Sequence, residues 1–159
     1  MAPRYVKLNE DWLLRGWTDI PWCLVNWRNG DYYKLRQDAF YVARSCDGQT
    51  DFGSLAFLPG HIKLLEKFIT TGIAREWDDK EPLEEVQKYR QASTPMIRGI
   101  LWAVTGRCNL KCRYCYMSAP SRQQAKLSFL DITRLVNQLV EANVTSVSLT
   151  GGEPFLFDY

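Results

Sequence analysis

Hydrophobic positions between Tyr5 and Leu35 come in short runs rich in aromatic and β-branched residues, and turn signals separate the runs. This pattern is typical of short antiparallel strands. We expect strands around Trp12 to Trp17, Ile20 to Trp27 and Tyr32 to Leu35. The Asn29-Gly30 pair favours a tight hairpin, because both residue types readily adopt positive φ angles. The segment therefore predicts a small antiparallel sheet.

The hydrophobic period changes to that of a helix after this sheet. One apolar helical face is formed by Leu35, Ala39, Val42, Ala43 and Cys46, and Gly48 ends the pattern. A loop over residues 51–57 then leads to Pro59, a residue favoured in the first turn of a helix. A second apolar face is formed by Ile62, Leu65, Phe68 and Ile69, followed by Gly72. Ile73 to Trp77 predicts a short strand.

Two cysteines and the single histidine of this half are interpreted as structural. Cys23 lies in a strand pattern and Cys46 on an apolar helical face, so both are predicted to be small buried residues. His61 has no catalytic partner near it in the sequence and is expected at the surface, in the first turn of the second helix.

Residues 79–96 are predicted to form a linker between two domains. The stretch is polar and charged, allows only a short helix from Leu83 to Tyr89, and ends in the breaking sequence Ser93-Thr94-Pro95. We therefore expect a first domain over residues 1–78 and a second over residues 97–159.

The second half has the pattern of an α/β protein. Ile100 to Val104 is a continuous apolar run typical of a strand buried on both faces. Ser128 and Asp131 form a capping-box pattern ahead of an apolar helical stripe. Val144 to Thr150 predicts the next strand. Strand, helix and strand in this order indicate one parallel crossover.

Charge and composition exclude several partner classes. The 159 residues include 20 basic and 18 acidic residues in mixed order, so nothing favours nucleic acid or an anionic membrane. No apolar run reaches the length of a membrane span, and the start of the chain lacks the apolar stretch of a signal peptide. Five cysteines, three of them close together, favour a metal site in a reducing compartment, so we expect a cytoplasmic protein.

The most specific pattern in the chain is the CxxxCxxC spacing of Cys108, Cys112 and Cys115. Three thiols without a nearby histidine or carboxylate are an incomplete ligand set for tetrahedral zinc. They suffice for three corners of an iron–sulfur cube, whereas a ferredoxin normally supplies a fourth cysteine. The pattern therefore favours a cluster with one iron open to a ligand that is not protein.

A second motif, Gly151-Gly152-Glu153-Pro154, follows the second predicted strand, as the cysteine loop follows the first. Parallel strands bring both motifs to one edge of the sheet, which is where open α/β sheets bind ligands. Glycine lets the backbone approach a ligand closely, and Glu153 can accept from an ammonium group. By itself the tetrapeptide would be an ordinary turn at the end of a strand.

These two motifs resemble those of the radical S-adenosylmethionine (radical SAM) enzymes, over roughly Ile97 to Tyr159. The resemblance implies that Cys108, Cys112 and Cys115 hold a [4Fe–4S] cluster. It implies further that Tyr114 lies near the adenine through its backbone, and that Gly151, Gly152, Glu153 and Pro154 bind the methionyl amine of S-adenosylmethionine. The implied activity is hydrogen abstraction by a 5′-deoxyadenosyl radical, with an external one-electron donor.

The front half resembles the winged-helix-like α+β domain that some radical enzymes use to recognise ribosomally made precursor peptides. In those enzymes the leader peptide adds a strand to the sheet edge, and the matching residues here are Tyr32, Tyr33, Lys34 and Leu35, beside the helix from His61 to Ile69. A DNA-binding role is disfavoured, because that helix carries only two lysines against one glutamate. The alternative is a structural cap on the enzyme domain.

Radical SAM enzymes of this kind close their site with a partial (β/α)6 barrel, of which this chain holds the first β-α-β unit. We therefore expect an N-terminal piece of a peptide maturase that is inactive by itself. The bond that the parent enzyme forms, whether a thioether or another cross-link, stays open. A peptide-binding piece without catalysis and a radical enzyme acting on another protein substrate are the alternatives.

Overall fold

The computed structural model describes residues 4–53, 58–118 and 127–157. The chain divides into two compact units, Met1–Met96 and Ile97–Tyr159. Each unit is described by itself. Within the described residues, no helix combines the length and the apolar character that a membrane crossing requires.

The first unit contains two sheets, and the smaller one has three antiparallel strands. In this sheet β1 (Tyr5–Leu8) lies between β5 (Asp47–Asp51) and β6 (Ala74–Trp77). The sequence predicts β6 but not β5, whose polar sequence Asp-Gly-Gln-Thr-Asp gives no strand signal. Backbone pairing with β1 therefore decides the conformation of β5. Part of the expected 51–57 loop, residues 54–57, lies outside the described residues.

The larger sheet has the strand order β4-β3-β2-β7. Strands β2 (Trp12–Gly16), β3 (Cys23–Asn26) and β4 (Tyr32–Lys34) pair antiparallel and lie where the sequence predicts them. The two residues of β7 (Arg90–Gln91) pair parallel with β2. Gly30 has a φ of 77°, as expected for a tight turn between β3 and β4.

Two helices pack on these sheets and close the main core. Helix α1 spans Gln37–Ser45 and buries Ala39, Val42 and Ala43, and helix α2 spans Pro59–Thr70 and buries Leu65 and Phe68. Both helices begin within two residues of the predicted positions. Cys23 and Cys46 are fully buried, which confirms that they belong to the core. The unit is therefore an α+β domain with its core between helices and sheets.

The prediction that residues 79–96 are a linker is wrong, because the stretch packs as part of the first unit. The buried Arg15 side chain donates from Nη1 to the carbonyl of Lys88 at 3.0 Å, and from Nη2 to the carbonyl of Val86. Gln87 is buried as well. The polar composition of residues 79–96 favours a solvated linker. Part of it, however, belongs to a side chain that is buried in the domain.

The short helix predicted from Leu83 to Tyr89 is a single 3₁₀ turn over Glu85–Gln87. Carbonyl groups around this turn accept from Arg15 rather than from a following helical turn. The strand β7 begins directly afterwards at Arg90. A side chain distant in the sequence therefore decides the local backbone conformation.

The second unit has two parallel strands, β8 (Gly99–Thr105) and β9 (Ser146–Gly151), with helix α3 (Phe129–Glu141) between them in the sequence. Their register pairs Ile100 with Val147 and Trp102 with Leu149. This order is the predicted strand, helix and strand. Residues 119–126, between the cysteine loop and α3, lie outside the described residues.

The predicted capping box is present at the start of α3. Ser128 Oγ accepts from the backbone N–H of Asp131 at 3.2 Å, and the Asp131 carboxylate accepts from the backbone N–H of Ser128 at 3.1 Å. Hydrogen bonds from the Ser128 side chain and backbone lower the pKa of the Asp131 carboxyl. The ionised carboxylate also interacts favourably with the helix dipole.

The expectation that β8 is buried on both faces is wrong for the described unit. Leu101 is 67% exposed, and Leu149 on β9 is 59% exposed. A two-stranded sheet leaves most of its surface open to water. Of the residues of α3, only Ile132 is buried.

Candidate cofactor site

The two motifs of the second unit meet at one edge of the parallel sheet, as the topology predicts. The backbone N–H of Gly152 donates to the carbonyl of Thr105 at 2.7 Å. The N–H of Glu153 donates to the carbonyl of Arg107, the residue before Cys108, at 2.8 Å. The Gly-Gly-Glu-Pro motif is therefore hydrogen-bonded to the first turn of the cysteine loop.

Both glycines of the motif are required by this close approach of two backbones. A Cβ on Gly151 would lie 2.2 Å from the carbonyl oxygen of Thr105, and its φ of 126° is strained for any other residue. A Cβ on Gly152 would lie 2.1 Å from the carbonyl oxygen of Arg107. Close packing of the two backbones is therefore sufficient to require glycine at both positions.

A third contact joins the far end of the cysteine loop to β9. The hydroxyl groups of Tyr116 and Thr150 lie 2.7 Å apart. Tyr116 follows Cys115, and Thr150 precedes Gly151. The sequence alone gives no signal for this pair, since a tyrosine and a threonine far apart in the chain have no characteristic spacing.

Glu153 is held by its own backbone neighbourhood. Its Oε1 accepts from the N–H of Phe155 at 3.1 Å and caps the 3₁₀ turn Pro154–Leu156. This turn also contains Pro154, which restricts the chain as it leaves the strand. The carboxylate is thereby fixed beside the two glycines, where an ammonium group of a ligand can approach it.

The three cysteines share one loop as free thiols. Cys112 is exposed, Cys108 and Cys115 are half-buried, and Cys108 Sγ accepts from the N–H of Leu110 at 3.4 Å. Across residues 4–53, 58–118 and 127–157, no three potential ligand side chains are grouped as in a metal site. The loop offers thiol donors of the type that a cluster requires, and at least one of them is accessible to solvent.

Tyr114 lies in this loop with its ring 85% exposed. The guanidinium carbon of Arg113 lies 5.4 Å from the centre of that ring. Three thiols on one accessible loop beside a glycine turn fit a cluster with an organic ligand on its fourth iron.

The residues predicted to bind a peptide lie on the edge strand of the larger sheet. Strand β4 pairs with β3 on one side, and no described strand pairs with its other side. The N–H of Leu35, just after β4, donates to the carbonyl of Trp22 at 2.9 Å, so the backbone groups of the odd-numbered positions here face β3. Lys34 therefore belongs to the alternate set whose backbone groups point to the open edge.

A cavity of about 470 Å³ lies in the first unit close to the end of β4. It is lined by Trp22, Gln37, Asp38, Phe40, Tyr41, Arg44 and His61. The rings of Trp22 and Phe40 stack with centroids 5.2 Å apart, and those of Tyr41 and His61 lie 5.5 Å apart. The sequence predicts His61 at the surface, whereas the structure shows it half-buried in the lining of this cavity.

Sequence reasoning missed this cavity, although a signal for it exists. Five of its residues lie on α1 at helical spacing, on the side opposite to the core residues Ala39, Val42 and Ala43. Aromatic residues on the outward face of an amphipathic helix are the feature that could have indicated it.

Comparison with known proteins gives one family match, which lies within the second unit. Residues 102–159 match the model of the radical SAM superfamily. The cofactors of that superfamily are a [4Fe–4S] cluster and S-adenosylmethionine, and the matched segment contains both motifs described above.

Curated proteins that are similar to part of this chain include GTP 3′,8-cyclases. A probable GTP 3′,8-cyclase of Methanococcus maripaludis is 38% identical over 61 residues, which are 38% of this chain and 20% of that protein. The GTP 3′,8-cyclase of Acidothermus cellulolyticus is 35% identical over 77 residues, 44% of this chain and 21% of that protein. The chain thus spans about a fifth of these relatives.

Solved structures with the same fold cover both units. Streptococcus suis SuiB bound to its precursor peptide SuiA superposes with a TM-score of 0.53, at 15% identity over 95% of this chain and 37% of SuiB. SuiB bound to S-adenosylmethionine gives a TM-score of 0.52, at 17% identity over 96% of this chain and 37% of SuiB. This likeness concerns the fold.

Proposed function

We propose that this chain is the N-terminal part of a radical SAM enzyme that modifies a ribosomally made precursor peptide. The observation that carries the proposal is the extent of the likeness to SuiB, which covers 95% of the chain and so includes the first unit. The superfamily match is confined to residues 102–159. A first unit shared with a peptide-binding maturase favours a peptide substrate over a small molecule.

In this proposal Cys108, Cys112 and Cys115 ligate the cluster, while Tyr114 and the motif from Gly151 to Pro154 bind S-adenosylmethionine. When bound, the two cofactors supply a 5′-deoxyadenosyl radical that abstracts hydrogen from the peptide after reduction by an external electron donor. The protein positions the cofactors: Glu153 accepts from the methionyl ammonium group, and the glycine backbone lets the ligand approach closely. A thioether or another cross-link is the proposed product.

Anaerobic reconstitution with iron and sulfide tests the cofactor half of the proposal. After reduction, the chain is expected to show the electron paramagnetic resonance (EPR) signal of a [4Fe–4S] cluster, and S-adenosylmethionine is expected to change it. Replacing Cys112 by serine removes one thiolate ligand and should abolish the signal, whereas replacing the buried core Cys23 by serine should leave the iron content unchanged. An unchanged spectrum in the Cys112 variant would reject the ligand assignment.

For the first unit we propose a winged-helix-like domain that binds the leader peptide along β4, through Tyr32, Tyr33, Lys34 and Leu35. Addition of a strand suits a peptide partner, because backbone hydrogen bonds supply affinity and alternate side chains enter neighbouring pockets. Lys34 presents its backbone to the open edge, and the aromatic cavity lies where β4 ends. Nucleic acid is a poor fit, because α2 carries the acidic Glu66 between Lys63 and Lys67.

Binding of synthetic leader segments, taken from precursor peptides encoded beside the gene, tests this half. The labelled segments are titrated against the whole chain and followed by fluorescence anisotropy. Saturable binding of one segment, with a scrambled segment as control, is the expected result. Absence of binding for every segment would leave the first unit as a structural cap or direct the enzyme to another protein substrate.

A nucleotide substrate is the second candidate function, because the curated relatives quoted above are GTP 3′,8-cyclases. Their identity with this chain extends over 61 and 77 residues, which supports shared radical chemistry more than a shared substrate. Addition of GTP to the reconstituted chain discriminates the two candidates. A further change of the EPR signal with GTP, and none with a leader peptide, would favour the nucleotide.

A chain that binds a leader peptide but takes up no cluster would be a binding module without catalysis.

A further inference from the structure

The cysteine loop is attached to the end of β9 at both of its ends, by two different kinds of bond. At the near end the attachment is made by backbone: Gly152 N–H to Thr105 C=O at 2.7 Å, and Glu153 N–H to Arg107 C=O at 2.8 Å. At the far end it is made by side chains alone, through the 2.7 Å contact between the hydroxyl groups of Tyr116 and Thr150.

We propose that Tyr116 and Thr150 form a latch that positions the cluster-binding loop against the S-adenosylmethionine motif. The proposal rests on the proposed function, in that it assumes a cluster on the three cysteines. Tyr116 is joined directly to Cys115, and Thr150 directly to Gly151. The hydroxyl contact therefore fixes the distance between the last thiol and the first glycine more directly than any other described bond.

The physical reason for a latch is the entropy of the loop. Three thiols on a loop anchored at one end sample many relative positions, and each must be restricted when a cluster binds. Anchoring the second end restricts the loop beforehand, so that less entropy is lost on binding. Because Tyr116 is 71% exposed, removal of its hydroxyl leaves no buried polar group unpaired and is expected to leave the fold intact.

Four variants of the whole chain test the latch: Tyr116→Phe, Thr150→Val, the double variant, and Thr150→Ser, which keeps the hydroxyl. Two properties are measured after anaerobic reconstitution. They are the rate at which a chelator removes iron and the S-adenosylmethionine concentration that gives half of the EPR change. Thermal unfolding of the apo chain is measured in parallel, because a merely structural role would appear there.

We expect Tyr116→Phe and Thr150→Val each to raise the iron-loss rate and the half-saturating S-adenosylmethionine concentration about threefold to tenfold, the range of one exposed hydrogen bond. Apo unfolding should stay unchanged, Thr150→Ser should behave like the original chain, and the double variant should be no worse than either single one.

The latch would be overturned by single variants that match the original chain, or by effects that multiply in the double variant. An equal loss of apo stability would also overturn it, by assigning the pair a structural role. Failure of the original chain to take up any cluster would reject the proposed function together with the latch. A normal cluster in the original chain with normal behaviour of both single variants would reject the latch alone.

Discussion

The backbone N–H of Glu153 donates to the carbonyl of Arg107 at 2.8 Å, which joins the glycine motif to the residue preceding the first cysteine. This bond and the one from Gly152 to Thr105 join backbone groups of the protein to each other. These backbone hydrogen bonds hold the two motifs together. A ligand at this sheet edge would therefore meet a backbone that is already positioned.

Replacement of Gly152 by alanine is expected to destabilise the apo chain. The new Cβ would lie 2.1 Å from the carbonyl oxygen of Arg107, so the backbone must shift and the Glu153 bond is strained. Overpacking of this kind costs about 1–3 kcal/mol. Hydrogen exchange in β8 and β9 of the whole chain measures the loss, and exchange at the N–H of Glu153 should become faster.

Gly60 provides the matched control, because nothing lies within 4 Å of a Cβ at that position in the first turn of α2. Gly60→Ala is expected to be neutral or slightly stabilising, since alanine is the better helix former. If Gly152→Ala unfolded like the original chain and yet abolished the EPR response to S-adenosylmethionine, the glycine would serve the ligand and not the backbone contact.

The meeting of the two motifs at one sheet edge could be predicted from the sequence, because both motifs and the order of the elements appear as local patterns. The positions of Cys108, Cys112 and Cys115 and the glycine motif are visible without a structure, and the parallel order of two strands places them at one edge. The contact between Tyr116 and Thr150 could not be predicted. It depends on the path of the loop, and no local pattern distinguishes it.

Thiol labelling should separate the five cysteines into two classes. Burial raises the pKa of Cys23 to about 11 and also raises the pKa of Cys46. Because the thiolate is the reactive form, about one Cys23 in a thousand is ionised at pH 8. We expect iodoacetamide to modify the exposed Cys112 quickly in the native apo chain and the two buried thiols slowly.

Peptide mass spectrometry after timed labelling measures each rate. The rate at Cys23 should keep rising with pH up to about its pKa, since the thiolate fraction increases throughout that range. In denaturant all five thiols should react at similar rates, which serves as the control. Native labelling of Cys23 or Cys46 as fast as Cys112 would contradict the buried assignment.

Replacement of Arg15 by leucine is expected to release residues 85–91 from the first unit. Burial and the neighbouring Arg90 lower the pKa of Arg15 to about 10, so the guanidinium is still protonated at neutral pH and can donate to the Val86 and Lys88 carbonyls. Loss of these bonds is expected to lower the free energy of unfolding by about 2 kcal/mol. Urea unfolding measures the change, and hydrogen exchange locates it.

Arg36 is the control for Arg15, because its side chain is exposed and forms an ion pair with Asp38 at the surface. Arg36→Leu should change stability by no more than about 0.5 kcal/mol. Equal stability of the two variants would mean that the buried guanidinium does not hold the segment.

The linker interpretation of residues 79–96 failed for a reason that these two arginines illustrate. In the sequence both are basic residues near hydrophobic positions, and nothing local separates a buried donor from a solvated one. Arg15 meets backbone carbonyls more than seventy positions away, whereas Arg36 faces water. Composition describes the side chains of a segment but not their partners, so polar content alone was insufficient to define the domain boundary.

Proline at position 34 offers a sharp test of strand addition, because it removes the backbone donor that the proposal assigns to the peptide. Lys34 lies on the edge strand with its backbone turned away from β3, and an edge position of this kind tolerates proline without loss of a bond inside the sheet. Lys34→Pro is expected to weaken binding of the leader segment about tenfold, while Lys34→Ala, which keeps the N–H, should weaken it much less. Fluorescence anisotropy measures both affinities, and the unfolding midpoints of the two variants should agree. Equal weakening by proline and alanine would indicate that the lysine ammonium group, and not the sheet edge, recognises the peptide.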